Sequence, residues 1–179
     1  MSDESEEEER ILEERNKDFE PNLEFSLSIR EPIEKIFYRQ PVLVNSDIKI
    51  IEAIDLFNEK DVGCVLVVDK STKRLIGIFT ERDVIRKVIH AKVDIYKETI
   101  QKFMTTNPDA LLLDDPISYA LNRMAAGGYR HIPLVDNEHI PVGFLSIRDI
   151  IEHLADYYSS EILNLPPSPH AKEKTQEGG

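Results

Sequence analysis

The stretch Gly77-Ile78-Phe79-Thr80-Glu81-Arg82-Asp83 occurs twice in this chain, returning as Gly143-Phe144-Leu145-Ser146-Ile147-Arg148-Asp149. Both copies keep the order glycine, two apolar residues, a hydroxyl residue, one variable residue, arginine and aspartate. Each copy follows one apolar run and precedes another, which indicates a strand that leaves a turn at the glycine and passes into a helix. The hydroxyl then stands at the helix N-cap, and the aspartate three residues later is placed as in a capping box.

Two roles are open for the hydroxyl and the aspartate of each copy. They can serve only as caps, or they can also bind a ligand, because a helix N-terminus attracts anions. A hydroxyl, an arginine and a carboxylate that face one way suit a phosphorylated ligand that carries a ribose. The repetition of the motif favours the second role.

The duplication extends well beyond the motif. Residues 31–69 align with residues 98–136 at a constant offset of 67, so that Pro41 matches Pro108 and Asp47 matches Asp114. One residue is lost in the following hairpin, and the motif itself aligns at an offset of 66. A period of this length is too long for a solenoid repeat and suits two small subdomains.

Each copy predicts the element order β-α-β-β-α. Apolar residues recur at helical spacing from Ile50 to Phe57 and from Ile117 to Met124. The remaining predicted elements are extended pieces over 42–44 and 110–113, strands over 64–68, 75–79, 132–135 and 141–145, closing helices over 82–89 and 148–157, a short strand or extended lead-in over 23–29, and a short helical piece over 30–37. We therefore expect an α/β (α+β) fold in which two β-α-β-β-α subdomains with thin cores pack about a pseudo-twofold axis.

Composition limits the classes of function. The 179 residues carry a net charge of −12, with 41% hydrophobic and 31% charged residues, which is typical of a soluble globular protein. An acidic body argues against nucleic-acid binding. No apolar stretch approaches the roughly 20 residues that span a bilayer, and the N-terminus has no secretory signal. We expect a cytoplasmic protein that does not bind membranes.

The acidic residues concentrate at the N-terminus, where residues 1–20 carry ten acids and three bases. We expect an acidic flexible tail over 1–22, a first subdomain with its lead-in over 23–90, a second subdomain over 91–158 and a flexible tail over 159–179. The alternative role for the acidic tail is to dock another chain. The single cysteine, Cys64, lies in an apolar run, which predicts a buried and inert thiol.

Catalytic and metal-binding patterns are absent from the sequence. No nucleophile–base pair has motif spacing, and the five histidines form no metal-ligand pattern. The pair Gly127-Gly128 lacks the Gly-Lys-(Ser/Thr) ending of a phosphate-binding loop. The sequence therefore predicts a binding protein rather than an enzyme.

The tandem β-α-β-β-α order with the signature Gly-x-x-(Thr/Ser)-x-Arg-Asp resembles the cystathionine-β-synthase (CBS) domain pair, also called a Bateman module. Met104-Thr105, Asn107-Pro108 and the run from Tyr129 to Asp136 add to the match, which covers roughly residues 30–157. The resemblance implies a ligand sensor with no required cofactor. Its regulatory ligand would be an adenosine compound (AMP, ADP, ATP or S-adenosylmethionine) bound in the cleft between the copies.

The resemblance also implies two quasi-equivalent sites, each taking the hydroxyl and aspartate from one copy and strand edges from the other. The aspartate would hold the ribose hydroxyls, the hydroxyl would meet phosphate or ribose, and apolar strand residues would enclose adenine. The first site would comprise Thr80, Arg82, Asp83, Thr105, Ala110, Tyr129, Arg130, His131 and Ile132. The second would comprise Ser146, Arg148, Asp149, Tyr38, Leu43, Val62, Gly63, Cys64 and Val65.

These two sites are expected to differ. Arg130 and His131 of the first set can neutralise phosphate, whereas Gly63 and Cys64 at the matching positions bring no cation. We expect AMP-like ligands in the first site, and in the second site weaker binding, no ligand, or a less charged adenosine compound. The alternatives are that Arg82 and Arg148 pair with surface carboxylates and that His131 is an ordinary half-buried strand residue.

Two classes of function remain open. The first is a stand-alone adenine-nucleotide sensor that forms a homodimer and signals to an unknown regulated partner by conformational change. Its dimer contact would lie on the exposed apolar edge of the C-terminal helix, formed by Ile150, Ile151, Leu154, Tyr157 and Tyr158. The second is a ligand-independent dimerising scaffold that uses the acidic tail to contact a basic partner.

Overall fold

The computed structural model describes residues 28–157, and the predicted tails lie outside this range. The strands are β1 (Leu43–Val44), β2 (Cys64–Val68), β3 (Leu75–Thr80), β4 (Thr105–Thr106), β5 (His131–Val135) and β6 (Pro141–Ser146). The helices are α1 (Ile50–Lys60), α2 (Glu81–Asp83, continued as the π-helix Val84–Ile89), α3 (Ile117–Gly127) and α4 (Ile147–Tyr157), with short 3₁₀ helices at Ile33–Lys35 and Ile100–Lys102. The predicted α/β fold with two repeated subdomains is confirmed.

The predicted helices and long strands agree with the observed ones to within one residue at most ends. The extended pieces are shorter than expected, because the second is reduced to a single bridge between Leu111 and Leu134. The predicted lead-in over 23–29 lies mostly outside the described residues. At its described end Ser28 is helical and Ile29 is in a turn, so an extended conformation is wrong there.

The two copies exchange their opening segments. The first sheet has the order β1-β2-β3-β4, and β4 comes from the second copy, pairing Thr106 with Gly77. In the reciprocal position Arg39 of the first copy forms an antiparallel bridge with Phe144 of the second. Sequence periodicity did not predict this exchange. Because of the exchange, each side of the cleft contains residues from both copies.

The motif glycines stand inside strands rather than at turns, which corrects the sequence-based expectation. A Cβ on Gly77 would lie 2.8 Å from Met104 Sδ, and one on Gly143 would lie 2.6 Å from Tyr38 Cδ2. Both neighbours belong to the segment contributed by the other copy. Glycine is required here because a second chain segment passes directly over the strand.

The core is shared between the copies. One cluster is centred on the second copy and includes Ile33 and Ile36 from the first, while another is centred on the first copy and includes Ile100 from the second. A third cluster joins both β-sheets, with Leu66 packed in the same cluster as Phe144. Each subdomain therefore completes its apolar core with residues of its neighbour, as expected for units of this size.

The exposed fractions of the apolar side chains correct the dimer contact predicted on the C-terminal helix. Ile150 is fully buried, and Leu154 packs partly against the core, whereas Ile151 is 58% exposed. Tyr158 lies outside the described residues. None of the helices among residues 28–157 combines the length and the apolar composition of a membrane span.

Candidate functional site

The cleft between the copies contains two neighbouring cavities. The larger has a volume of about 640 Å³ and the smaller about 340 Å³. Gly63, Glu81, Arg130 and His131 line both cavities and form the wall between them. The larger cavity is within the size range of small-molecule sites, which is about 300–1,000 Å³.

The aspartate of the larger cavity belongs to a capping box. Asp83 Oδ2 accepts hydrogen bonds from Thr80 N at 2.9 Å and Thr80 Oγ1 at 2.7 Å, while Asp83 N donates to Thr80 Oγ1 at 3.2 Å. The cap therefore uses one carboxylate oxygen and leaves Oδ1 for another partner. The predicted cap is confirmed, and it does not exclude a second role for Asp83.

Lys87 holds the other oxygen of that carboxylate. Its Nζ lies 2.7 Å from Asp83 Oδ1, donates to Phe103 O at 2.8 Å and lies 3.3 Å from Thr105 Oγ1. The Lys87 side chain is 42% exposed, and that of Asp83 is 11% exposed. A ligand would reach Asp83 Oδ1 by displacing the Lys87 side chain, which is flexible and already in contact with water. The motif did not include Lys87, although its position four residues after Asp83 on a predicted helix is a usable signal for such a pair.

Tyr129 forms an ordered aromatic wall of the larger cavity. Its hydroxyl donates to Asp109 Oδ2 at 2.7 Å, and Arg123 Nη1 binds Asp109 Oδ1 at 2.9 Å. Burial, followed by the charge and hydrogen bond of Asp109, raises the pKa of Tyr129 to about 12. The neutral ring is therefore fixed in place, and Ile78 and Pro108 add further apolar lining.

The three arginines that line the larger cavity make different contacts. Arg82 crosses the cleft and donates from Nη1 to the carbonyl oxygen of Gly128 in the other copy. Arg130 is exposed, and among the described residues its guanidinium has no hydrogen-bond or ion-pair partner. Arg86 also lines this cavity. The lining thus combines these three arginines with the carboxylates of Glu81, Asp83 and Asp109.

His131 lies in the dividing wall. Its ring meets Phe144 edge-on, with centroids 6.0 Å apart, and it closely approaches Gly63, where a Cβ would lie 2.9 Å from His131 Cε1. Burial is the main cause that lowers the pKa of His131 below its ordinary value of 6.5, and nearby arginines add to the effect. The lowered pKa favours the neutral imidazole at pH 7.

Asp149, the motif aspartate next to the smaller cavity, is buried and paired within the protein. Asp149 Oδ2 accepts from Ser146 N at 2.8 Å and Ser146 Oγ at 2.6 Å, and Oδ1 lies 3.5 Å from Arg39 Nε. The Asp149 side chain has no exposed surface, whereas that of Arg39 is 31% exposed. The carboxylate acts as a cap and as an anchor for the segment contributed by the other copy.

The positions of the second site that match Arg130 and His131 bring no cation, but three arginines from other positions line the smaller cavity. Arg39, Arg130 and Arg148 all line the smaller cavity. Arg148 is engaged with Glu152 on its own helix, with 2.7 Å between Nε and Oε1, which is the alternative role considered for it. Arg39 was missed because its place depends on the bridge to Phe144, a pairing far away in the sequence.

The CBS domain model matches residues 33–90 and 100–156, once for each copy. The chain belongs to the CBS domain family. The two matches correspond to the two halves of the cleft just described, so this CBS pair builds both cavities from one chain.

Two curated relatives are similar to this chain, and their names give no activity. An uncharacterized 17.7 kDa protein of Acidianus ambivalens is 28% identical over 129 residues, covering 72% of this chain and 76% of its own length. An uncharacterized protein of Rickettsia prowazekii is 37% identical over 109 residues, covering 61% of this chain. The match spans only 33% of the length of the Rickettsia protein.

Solved structures share the fold. The CBS domain pair of protein MJ0100, in complex with 5′-methylthioadenosine and S-adenosyl-L-methionine, has a TM-score of 0.63 at 24% identity and covers 70% of this chain and 97% of its own. A CBS domain protein from Pyrobaculum aerophilum complexed with AMP has a TM-score of 0.63 at 23% identity, covering 72% of this chain and 98% of its own. At this identity the likeness establishes the architecture of the CBS pair.

Some of the predicted site residues line a cavity, and the others do not. Those that line the larger cavity are Thr80, Arg82, Asp83, Thr105, Tyr129, Arg130 and His131, and those that line the smaller one are Ser146, Arg148, Val62 and Gly63. The predicted residues outside these two linings are Ala110, Ile132, Asp149, Tyr38, Leu43, Cys64 and Val65.

Three of the residues outside the linings lie in the core. Cys64, Val65 and Ile132 are fully buried. Burial raises the pKa of the Cys64 thiol, and the nearby charge of Glu81 adds to the effect. The predicted burial of Cys64 is confirmed, and a neutral buried thiol is a poor nucleophile.

Proposed function

We propose that this CBS pair is a regulatory module that binds an adenosine nucleotide in the larger cavity and transmits the binding to a partner protein. The observation that carries the proposal is the composition of that cavity, which joins Thr80 and Asp83 of one copy to Thr105, Tyr129 and Arg130 of the other. Two proteins of the same fold are known with adenosine compounds, AMP in one and 5′-methylthioadenosine with S-adenosyl-L-methionine in the other.

The chemistry of the cavity suits the parts of a nucleotide. Asp83 Oδ1 would accept hydrogen bonds from vicinal ribose hydroxyls once Lys87 Nζ moves aside. Arg130 and the helix N-terminus at Thr80 would bind phosphate, since both favour negative charge. The fixed ring of Tyr129 offers a flat face for adenine. These groups come from helix α2 of one copy and from the loop before β5 of the other, so a nucleotide that engages all of them would contact both copies.

Binding would be read through the contacts between copies. Arg82 already links helix α2 to the carbonyl of Gly128, and a ligand placed between them would change that contact. A ligand can shift an equilibrium only by its difference in affinity for the two states. The signal is therefore a change in the relative placement of the two copies.

We further propose that the module pairs with a second copy through the exposed helix faces. Ile85 and Ile151 occupy equivalent positions of the two motifs and are 64% and 58% exposed. Sedimentation of the full chain should show a dimer that Ile151→Glu weakens. A monomer at all concentrations would remove this part of the proposal.

Thermal unfolding of the full chain with AMP, ADP, ATP and S-adenosylmethionine tests the ligand directly. At a ligand concentration near 100 times its dissociation constant, binding to the native state adds about 2.7 kcal/mol, which is a shift of several degrees. The shift should disappear in Asp83→Ala. It should persist in the control Asp55→Ala, which removes an exposed carboxylate from α1 away from the cavity.

The outcomes separate the two classes of function. A shift with one adenosine compound that depends on Asp83 supports the sensor and names its ligand. No shift with any compound favours a ligand-independent scaffold, and a shift that Asp83→Ala leaves intact would place the ligand elsewhere.

A further inference from the structure

The wall between the two cavities carries different charges on its two symmetry-related sides. Position 63 of the first copy corresponds to position 130 of the second, and both face both cavities. The first is glycine and the second is arginine. A symmetric wall would hold two such cations, one for each cavity, but this chain supplies one.

Packing maintains this difference. A Cβ on Gly63 would lie 2.9 Å from His131 Cε1 and 3.0 Å from His131 Nε2, so the imidazole fills the space that a side chain at position 63 would need. His131 in turn packs against Phe144. The wall therefore has no room for a second cation at the matching place.

The other cations of the smaller cavity are already engaged. Arg39 is paired with the buried carboxylate of Asp149, and Arg148 is paired with Glu152. Arg130 is exposed, and its guanidinium has no hydrogen-bond or ion-pair partner within residues 28–157. It is thus the cation that is available to an anionic ligand on either side of the wall.

Glu81 adds a negative charge to the same wall, where the matching residue of the second copy is Ile147. In the smaller cavity, where Arg39 and Arg148 are paired, an anionic ligand that does not contact Arg130 therefore meets this carboxylate with little compensation. The position of the Arg130 guanidinium is therefore decisive for an anionic ligand in the smaller cavity.

We infer that anionic nucleotides in the two cavities compete for Arg130, so that the first nucleotide weakens the binding of the second. This inference rests on the proposed function of the cleft. The second anion must bind without the shared guanidinium and beside the charge of the first. Couplings between sites commonly correspond to about 5- to 150-fold in affinity, and we expect roughly 5- to 20-fold here. An uncharged adenosine compound has no need of Arg130 and escapes the competition.

Calorimetric titration of the full chain with AMP measures the effect. Asp83 lines only the larger cavity, so Asp83→Ala weakens that site and reports the smaller cavity without an occupied neighbour. The second AMP step of the wild-type chain should be roughly 5- to 20-fold weaker than the AMP step of Asp83→Ala. With adenosine, which lacks phosphate, the two values should agree.

Two variants identify the residue responsible. Arg130→Gln should reduce the difference between the two AMP values, because no shared cation is left and only the repulsion between the two nucleotides remains. Arg86→Gln removes a cation that lines the larger cavity alone, so it should weaken the first AMP step. The factor between the second AMP step and the AMP step of Asp83→Ala should not change.

The outcomes distinguish this inference from the proposed function. Equal AMP values in the wild-type chain and Asp83→Ala, or a ratio that Arg130→Gln does not change, would overturn the competition. If AMP binds the wild-type chain once and Asp83→Ala not at all, the smaller cavity is no AMP site, so the competition fails while the proposed function stands. If no adenosine compound binds, the proposed function itself fails.

Discussion

The two cavities of this CBS pair start from the same motif and end with opposite states of their aspartates. Asp83 and Asp149 both use Oδ2 to cap a helix. Asp83 Oδ1 contacts a lysine of its own helix, and the side chain keeps some exposure, whereas Asp149 Oδ1 contacts Arg39 of the other copy and the side chain has none. One carboxylate is accessible to a ligand, and the other is part of the contact between the copies.

This difference shows that a duplicated motif does not duplicate its function. The local sequence determines the cap, because the hydroxyl and the carboxylate lie within one helical turn. The second oxygen is free to serve ligand binding or subdomain packing, depending on which cation reaches it. In this chain the second oxygen of Asp83 contacts Lys87 beside the larger cavity, and that of Asp149 contacts Arg39 of the other copy.

The largest expected effect separates the two aspartates by stability. Asp149→Ala should lower the free energy of unfolding by roughly 3 kcal/mol, because it leaves Arg39 and the Ser146 N–H without their buried partner. Asp83→Ala should lower it by only about 1 kcal/mol, the usual cost of a lost cap. Chemical denaturation measures both, and Asp149→Asn, which keeps a cap acceptor, should fall between them. Equal losses at the two positions would contradict the comparison.

The motif arginines should differ as well. Arg82→Met removes the bond to the Gly128 carbonyl between the copies and should cost about 1 kcal/mol of unfolding free energy. Arg148→Met is the matched control, since its exposed partner Glu152 lies on the same helix. Its unfolding midpoint should not change measurably. A larger loss at Arg148 than at Arg82 would show that the contact between copies lies elsewhere.

The helices α1 and α3 end at equivalent residues with left-handed backbones, Asp61 with φ 49° and Gly128 with φ 65°. Asp61→Gly should relieve about 1 kcal/mol of backbone strain and stabilise the chain by about 0.5 kcal/mol after the entropy of glycine is included. The Arg39 bond to the Asp61 carbonyl survives this change, because it uses the main chain.

The reverse substitution tests the same backbone argument. A Cβ at position 128 meets no atom within 4 Å, so strain alone should make Gly128→Ala about 1 kcal/mol less stable. Denaturation midpoints of both variants measure the effect. Stabilisation by Gly128→Ala would refute it.

Protonation gives the smallest expected difference. The folded-state pKa of His131 lies below its ordinary value of 6.5, so the unfolded chain binds a proton more readily than the folded chain. The stability contributed by the neutral ring is present above pH 6.5 and is lost as the pH falls below that value toward the lower folded pKa. His131→Gln should reduce the acid sensitivity of the unfolding free energy between pH 7 and pH 5. If the pH dependence of the unfolding free energy is unchanged in this variant, groups other than His131 cause it.

Much of this architecture was predictable from local patterns. The helical spacing from Ile50 to Phe57 and the apolar run at Cys64–Val68 were sufficient to place α1 and β2, because burial of one face or of both faces leaves a periodic signature. The same patterns could not show that β4 joins the sheet of the other copy. A two-residue strand carries no periodicity, and its pairing is a long-range choice.

The candidate site was predictable to the same extent. Thr80, Asp83, Tyr129 and Arg130 could be assigned to one cavity from the motif order and the family resemblance, and all of them line it. Residues such as Ile132 were expected near the ligand but lie in the core. Neighbours along a strand point to opposite faces, and the register that decides between them is set by tertiary pairing.

The sequence by itself determined the duplication, the helical caps and the family of this protein, because these depend on residues close together in the chain. Tertiary structure alone decided which aspartate stays accessible, that Arg39 seals Asp149, and that the two cavities share the single Arg130. Those outcomes depend on contacts between residues as far apart as Arg39 and Asp149. The physical reason is that hydrogen bonding within a turn is local, whereas burial and pairing of charge are settled only when the two copies pack together.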